Sequence, residues 1–308
     1  MKQTRYLPVI LLVVLMAIWG YSWVPGKLGV INSSPFVFAA LRTLPGALIL
    51  LALLPLTGRS LRPKAVLMTA AVGVLQVSGF VGFISAALNT GGAGHGAMLA
   101  NTWQFWLLLL AWLFLGERLA GLQWVAVAVA LAGLVFVIEP WAVRGVTASL
   151  LTLAGALVFS TGTVLFKILM KRHKPDLLSL TAWQSFFGCL PLIVLAFIFP
   201  GDPIKWNFDF IWSVIFSAFI GTAVAGLLWL YILRSLPANL AGIGTIGTPV
   251  VGVLSSWLQL GEHLSGWEIT GMVLLVSALA LLVLHSSGLL RRARAPVSLQ
   301  QPEARRAD

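Results

Sequence analysis

Apolar stretches long enough to cross a bilayer recur ten times along this chain, parted only by short runs of glycine, proline or charge. A spanning helix needs about 20 mostly apolar residues. In hydrocarbon a backbone amide has no water to pair with, so each such stretch satisfies its own hydrogen bonds as a helix. The expected helices cover residues 7–25, 35–56, 65–88, 94–115, 121–139, 147–167, 177–199, 209–233, 240–260 and 267–285. Short connections such as 57–64, 171–176 and 234–239 separate them. What remains is too little for an aqueous domain. The expected fold class is an all-α integral membrane protein of ten transmembrane helices.

Composition excludes the other classes. Of 308 residues, 59% are hydrophobic and 9% charged, against roughly 25% charged in a soluble domain. So few charges cannot clothe a water-facing globule. Soluble enzymes, coiled coils, disordered chains and DNA-binding modules are ruled out. The single cysteine, Cys189, excludes a disulfide scaffold and a cysteine-based metal site. No phosphate loop, metal spacing or nucleophile–base pair occurs, so no cofactor and no enzymatic activity are expected. Lys2 and Arg5 precede the first apolar run as they would in a signal peptide. That run continues through Trp19, Tyr21 and Trp23 with no small-residue cleavage site, and is read as a retained helix.

The net charge of +11 has a topological explanation. With the N-terminus in the cytoplasm, that side holds Lys2, Arg5, Arg59, Arg62, Lys64, Arg118, Lys171, Arg172, Lys174 and Arg234. The C-terminal stretch, 289–308, adds Arg291, Arg292, Arg294, Arg305 and Arg306 and is expected to be disordered. The opposite side holds Lys27, Arg144 and Lys205. Basic residues mark the cytoplasmic loops of membrane proteins. Both termini are therefore expected in the cytoplasm, and no nucleic-acid partner is implied.

An internal repeat organises the chain. Residues 113–119 read LFLGERL and 258–264 read LQLGEHL. An offset of 145 places Leu115, Gly116, Glu117 and Leu119 on Leu260, Gly261, Glu262 and Leu264, and Gly121 on Gly266. At a slightly smaller offset Lys27 falls on Lys167, each near an expected helix end. The chain reads as two five-helix halves, residues 1–141 and 146–285. Five is odd, so the second half enters the membrane inverted, the plan of many secondary transporters.

These marks resemble the EamA family of the drug/metabolite transporter superfamily: Trp19-Gly20 followed by Lys27, Arg42 after a Ser-Pro entry to the second helix, and the two LGE motifs. The resemblance covers about residues 7–285. It implies ten helices, a central cavity lined by both halves, and export of small metabolites by alternating access. One departure stands out. Pro249 lies thirteen residues before Glu262, where the family has a proline in both halves, but Gln104 occupies the matching place before Glu117. Proline kinks a helix, so helix 4 is expected to be straighter than helix 9.

Polar and aromatic side chains at membrane depth supply the candidate substrate-binding residues. Helix 1 offers Trp19 and Ser22, and helix 3 offers Gln76 and Phe83. On helix 4, Asn101 and Gln104 share a face beside Trp103. Helix 6 offers Thr163, near Ser160 and Lys167. Helix 8 offers Thr222 and Trp229, and helix 9 offers Thr245 and Thr248. An isolated hydroxyl more often serves helix packing than a ligand. Their convergence on one cavity is implied by the resemblance. Arg42, about two turns into helix 2, reads either as a side chain snorkelling to the interface or as a charge offered to an anionic substrate. Glu117 and Glu262 read as fixing the entry of the following helix.

No Asp or Glu falls near the centre of an expected helix, whereas proton-driven carriers commonly bury a carboxylate or histidine. His95 is the one weak candidate. The leading expectation is a secondary transporter of the bacterial inner membrane. It would export small organic metabolites, amino-acid-like or amphipathic, by exchange or facilitated efflux. The alternative is a non-transporting scaffold or sensor subunit on the same bundle. The partners expected are a small-molecule metabolite and the lipid bilayer, with a monomer as the working unit.

Overall fold

The computed structural model describes residues 7–116, 121–139, 145–235 and 238–286, with side chains described for all of these except 230, 233–235, 238–246 and 283–286. Lys2, Arg5, Glu117, Arg118, Arg144, the side chains of Arg234 and Thr245, and the stretch 289–308 lie outside the described residues.

Among the described residues the chain forms ten helices and no strand. In order they are α1 (Leu7–Ile31), α2 (Pro35–Leu56), α3 (Val66–Thr90), α4 (Ala93–Leu115), α5 (Gly121–Ile138), α6 (Val146–His173), α7 (Leu177–Ile198), α8 (208–235), α9 (Ala238–Leu260) and α10 (Gly266–Ser286). The first seven and Phe208–Trp229 of α8 are each long and apolar enough to cross a membrane. Large side chains stand bare on the outside of the bundle, among them Leu67 at 85% exposure and Phe197 at 82%. Water would penalise such a surface, and lipid does not.

Packing between helices repeats with a shift of five. α2 runs along α7 and α5 along α10, each pair mapping onto itself. α1 lies against α9 as α6 lies against α4, and α3 lies against α6 as α8 lies against α1. Two inverted five-helix repeats are thus visible in the contacts as well as in the sequence. Both LGE motifs place their glycine in the left-handed region: Gly116 has φ +68° and Gly261 φ +65°. A glycine there ends a helix without the steric cost that a Cβ would bring.

Close approach of helices rests on small residues. A Cβ on Gly73 of α3 would fall 2.2 Å from the Gln184 carbonyl oxygen of α7, and one on Gly188 would fall 2.4 Å from the Gly73 oxygen. Gly20 of α1 meets Val251 and the Thr248 carbonyl of α9 in the same way.

The helices are interrupted at matched levels. α3 contains a wide, π-type turn at Val74–Gly79, and α8 contains one at Phe216–Val224. α1 breaks at Ser22, whose hydroxyl donates to the Ile18 oxygen at 2.7 Å, and then continues past Pro25 to Ile31. Lys27 consequently sits inside a helix rather than at its end, and Lys167 likewise lies inside α6, which runs on to His173.

Helix 4, expected to be the straighter of the two, is the one interrupted in the structure. α4 divides into Ala93–Ala100 and Trp103–Leu115, while α9 is one helix through Pro249. Local hydrogen bonding explains the break without a proline. Asn101 Nδ2 donates to the Ala97 oxygen at 2.8 Å, and Thr102 Oγ1 donates to the Leu99 oxygen at 2.6 Å. The Thr102 amide also turns to Leu99, three residues back, at 3.1 Å. Side chains that claim backbone carbonyls compete with the helix ladder.

Candidate functional site

Three helices from both halves meet around one polar contact. Gln76, inside the wide turn of α3, donates through Nε2 to Thr163 Oγ1 of α6 at 2.9 Å. Thr163 passes its own hydroxyl hydrogen to the Phe159 carbonyl at 2.9 Å. One turn away the Phe159 ring lies 4.9 Å from Phe80 of α3 and 5.1 Å, edge-on, from Trp103 of α4. Such spacings suit the ring quadrupoles. Ser160 anchors the same corner by donating to the Trp103 carbonyl at 2.6 Å. Phe83 continues the α3 face next to Gly155 of α6, whose added Cβ would stand 3.2 Å from the Phe83 Cβ.

The symmetry-related pair, α8 with α1, carries a second aromatic cluster. Trp19 and Trp229 lie with ring centroids 5.5 Å apart, and Tyr21 meets Phe216 edge-on at 5.0 Å. Ser22 sits beside Gly221, where a Cβ would be 3.5 Å from its hydroxyl oxygen. The α3–α6 cluster therefore holds an amide and a hydroxyl among rings, and the α1–α8 cluster is mainly aromatic.

Other residues from the sequence reading take other places. Asn101 is buried beside the break in α4, where it lines a cavity of about 10 Å³ with Thr102, Phe105, Pro249 and Met272. That volume suits one water at most. Thr248 is buried in α9, its hydroxyl without a hydrogen-bond partner among the described residues. Gln104 is half-buried on the second segment of α4. Thr222 turns toward α2, its Cβ and methyl against Gly46, and bonds back to the Ser217 oxygen at 2.8 Å.

A polar closure, missed in the sequence as a set of contacts, spans one end of the bundle. Glu262 receives the Ala93 amide at 2.8 Å and the Gly94 amide at 2.9 Å, capping α4 from the end of α9. A carboxylate there also meets the positive end of the helix dipole. Lys27 Nζ donates to the Leu88 and Gly91 oxygens at 2.7 and 2.9 Å, closing the end of α3. His95 stands between Glu268 of α10 and Ser149 of α6, 2.8 Å from each. Ser265 hydrogen-bonds to Glu139. Tight packing adjoins this end: a Cβ on Gly96 would lie 2.8 Å from the Trp23 ring, and one on Gly252 2.7 Å from Ala97. Across the membrane, Arg59 pairs with Asp176 at 3.1 Å, both partly exposed, a contact worth at most about 1 kcal/mol.

Sequence spacing held a signal for part of what it missed. Phe80 is one turn from Gln76 and Phe159 one turn from Thr163, so each ring could be placed beside its polar neighbour. That the two helices meet there required the fold. Glu262 was read as fixing the following helix, whereas its carboxylate closes α4 of the other half.

Comparison with known proteins agrees with this architecture. The EamA-like transporter family matches residues 7–139 and again 146–284. The uncharacterized transporter YoaV of Bacillus subtilis (strain 168) is 25% identical over 84% of this chain and 90% of its own length. A probable amino-acid metabolite efflux pump of Escherichia coli (strain K12) is 27% identical over 88% and 92%. A solved crystal structure superposes with a TM-score of 0.67 over 95% of this chain and 99% of its own, at 17% identity, a likeness of fold. With the family matched once in each half and the inverted repeat written into its packing, the chain belongs to the EamA-like transporter family.

Proposed function

We propose that this transporter exports small amino-acid-like or amphipathic metabolites across the bacterial inner membrane by alternating access. The halves 1–141 and 146–285 rock about the α3–α6 and α1–α8 contacts, with both termini in the cytoplasm. The observation that carries the reading is the Gln76–Thr163 hydrogen bond, which joins the halves inside the apolar bundle and is edged by Phe80, Phe159 and Trp103. An amide and a hydroxyl that pair across such an interface can exchange partners with the amine and carboxyl groups of a solute, while the rings take its apolar part. The name of the Escherichia coli relative points to the same substrate class.

The closed end belongs to this cycle. Glu262 ties α9 to α4, His95 ties α4 to α10, and Lys27 ties α1 to the end of α3, so this conformation is sealed on the Lys27 side, the outer side by the distribution of basic loops. Glu139, Glu262 and Glu268 are each engaged in that seal, which favours exchange or facilitated efflux over a carboxylate-gated proton cycle. The deciding experiment is counterflow of labelled amino acids in proteoliposomes of the purified chain. Flux should fall at least fivefold with Gln76→Leu or Thr163→Val at equal protein incorporation, and should proceed without an imposed pH gradient. Flux that runs only with such a gradient overturns the exchange mode, and flux indifferent to both substitutions overturns the site.

A further inference from the structure

Arg42 occupies a place that neither snorkelling nor packing accounts for. It stands seven residues after Pro35 in α2, about 10 Å along the helix. Its guanidinium lies over the Phe38 ring, 5.7 Å from the centroid. Phe38 is fully buried: its ring fills the space over Gly29 of α1, where a Cβ would fall 2.2 Å away, and lies 6.3 Å from Phe210 of α8. Arg42 is therefore turned toward α1 and α8 rather than toward lipid. One turn deeper, Gly46 touches Ala218 and Thr222 in the wide turn of α8. These two α2–α8 contacts bracket Arg42, and beside the deeper one Ser217 keeps a buried hydroxyl with no partner among the described residues.

Among the described residues, no carboxylate lies within ion-pair distance of Arg42 and no hydrogen bond is made by its guanidinium. An unpaired charge inside a membrane bundle is costly, and a single cation–π contact offsets only part of that cost. Arg42 is itself partly buried within this interior setting. The arrangement is a fixed positive charge with no counter-ion among the described residues.

We propose that Arg42 is the anchor for a carboxylate on the transported solute, an inference that rests on the export reading above. The planar guanidinium matches a carboxylate with two parallel hydrogen bonds. Charge balance selects a monoanion: one cation with no ion-pair partner among the described residues is neutralised by one carboxylate, whereas a phosphate, at close to two negative charges, leaves a net charge buried. Phe38 holds the guanidinium beside its ring face at cation–π distance.

The test uses the full chain in proteoliposomes, with labelled phenylalanine as substrate and phenylalaninamide, which lacks the carboxylate, as competitor. Unlabelled phenylalanine should inhibit counterflow at least tenfold more effectively than the amide. Arg42→Gln should lower phenylalanine kcat/KM at least tenfold and abolish that preference, and Arg42→Lys should restore part of both. Equal inhibition by the amide in the unmodified protein overturns the anchor, even if Arg42→Gln does not assemble. So does Arg42→Gln flux equal to that of the unmodified protein. If the unmodified protein moves labelled leucine but not phenylalanine, leucine and leucinamide take their places, and equal inhibition of leucine counterflow by leucinamide overturns the anchor while the export reading stands. Absence of flux for every amino acid overturns the export reading, and the anchor with it.

Discussion

Oε2 of Glu262 lies 2.9 Å from the Gly94 amide nitrogen, so that the last acidic residue of one repeat's motif caps a helix of the other repeat. The same carboxylate receives the Ala93 amide through its other oxygen. Removing a side-chain cap costs roughly 0.5–2 kcal/mol, and the helix dipole adds to it. Glu262→Ala should therefore lower stability by about 1–2 kcal/mol, and Glu262→Gln, which keeps one acceptor, by less. Thermal melts followed by tryptophan fluorescence in detergent check the order, and equal midpoints for the two variants contradict it.

Gln76 and Thr163 are coupled by a direct bond, so their substitutions should not add. Gln76→Leu and Thr163→Val should each be destabilising by about 1 kcal/mol, with an interaction energy of roughly 0.5–1.5 kcal/mol in a double-mutant cycle. Denaturation of the four proteins in mixed micelles measures it. Additivity within error would mean that the two side chains do not share a bond in the membrane.

Gly73 and Gly188 bring α3 and α7 into backbone contact. Alanine at either has only backbone to meet, since its Cβ falls 2.2 Å from the Gln184 oxygen or 2.4 Å from the Gly73 oxygen. Overpacking of this kind costs about 1–3 kcal/mol. The double variant should be little worse than the worse single one, because the first methyl already separates the helices. Yield of monodisperse protein on size exclusion reads this directly.

Gly116 and Gly261 allow a cleaner comparison. Neither has any atom within 4 Å of an added Cβ, and both have positive φ. Alanine at each should cost about 1–2 kcal/mol through the backbone alone, and the two costs should agree within a few tenths. Unequal losses in thermal melts would show that the two motifs end their helices differently.

Much of the fold was legible because a bilayer imposes long apolar runs, and those runs name the helices in order. The LGE repeat gave the duplication, and the glycine φ values explain why that residue recurs. Interruptions were less visible. Pro249 announces a kink that α9 absorbs as a continuous helix, while Asn101 and Thr102 break α4 through hydrogen bonds that leave no mark on hydropathy. The site was half legible. Gln76 and Thr163 each stood out as polar in apolar surroundings, but their pairing depends on where α3 crosses α6. Thr222 shows the opposite case. Regular spacing puts it on a face with Trp229, seven residues on, yet the wide turn shifts the register and sends it to Gly46 on α2.

The wide turns of α3 and α8 have a mechanical consequence. Each stores one residue more than a straight helix of the same rise needs, and that residue is not fixed to one address. If the wide turn steps along its helix, every side chain it passes rotates by about 100° while the number of backbone hydrogen bonds is conserved. Gln76 lies within one such turn, and Ser217 and Thr222 within the other. The two helices thus behave as threaded shafts, able to present a different face to the solute path at matched depths in each half without being unwound.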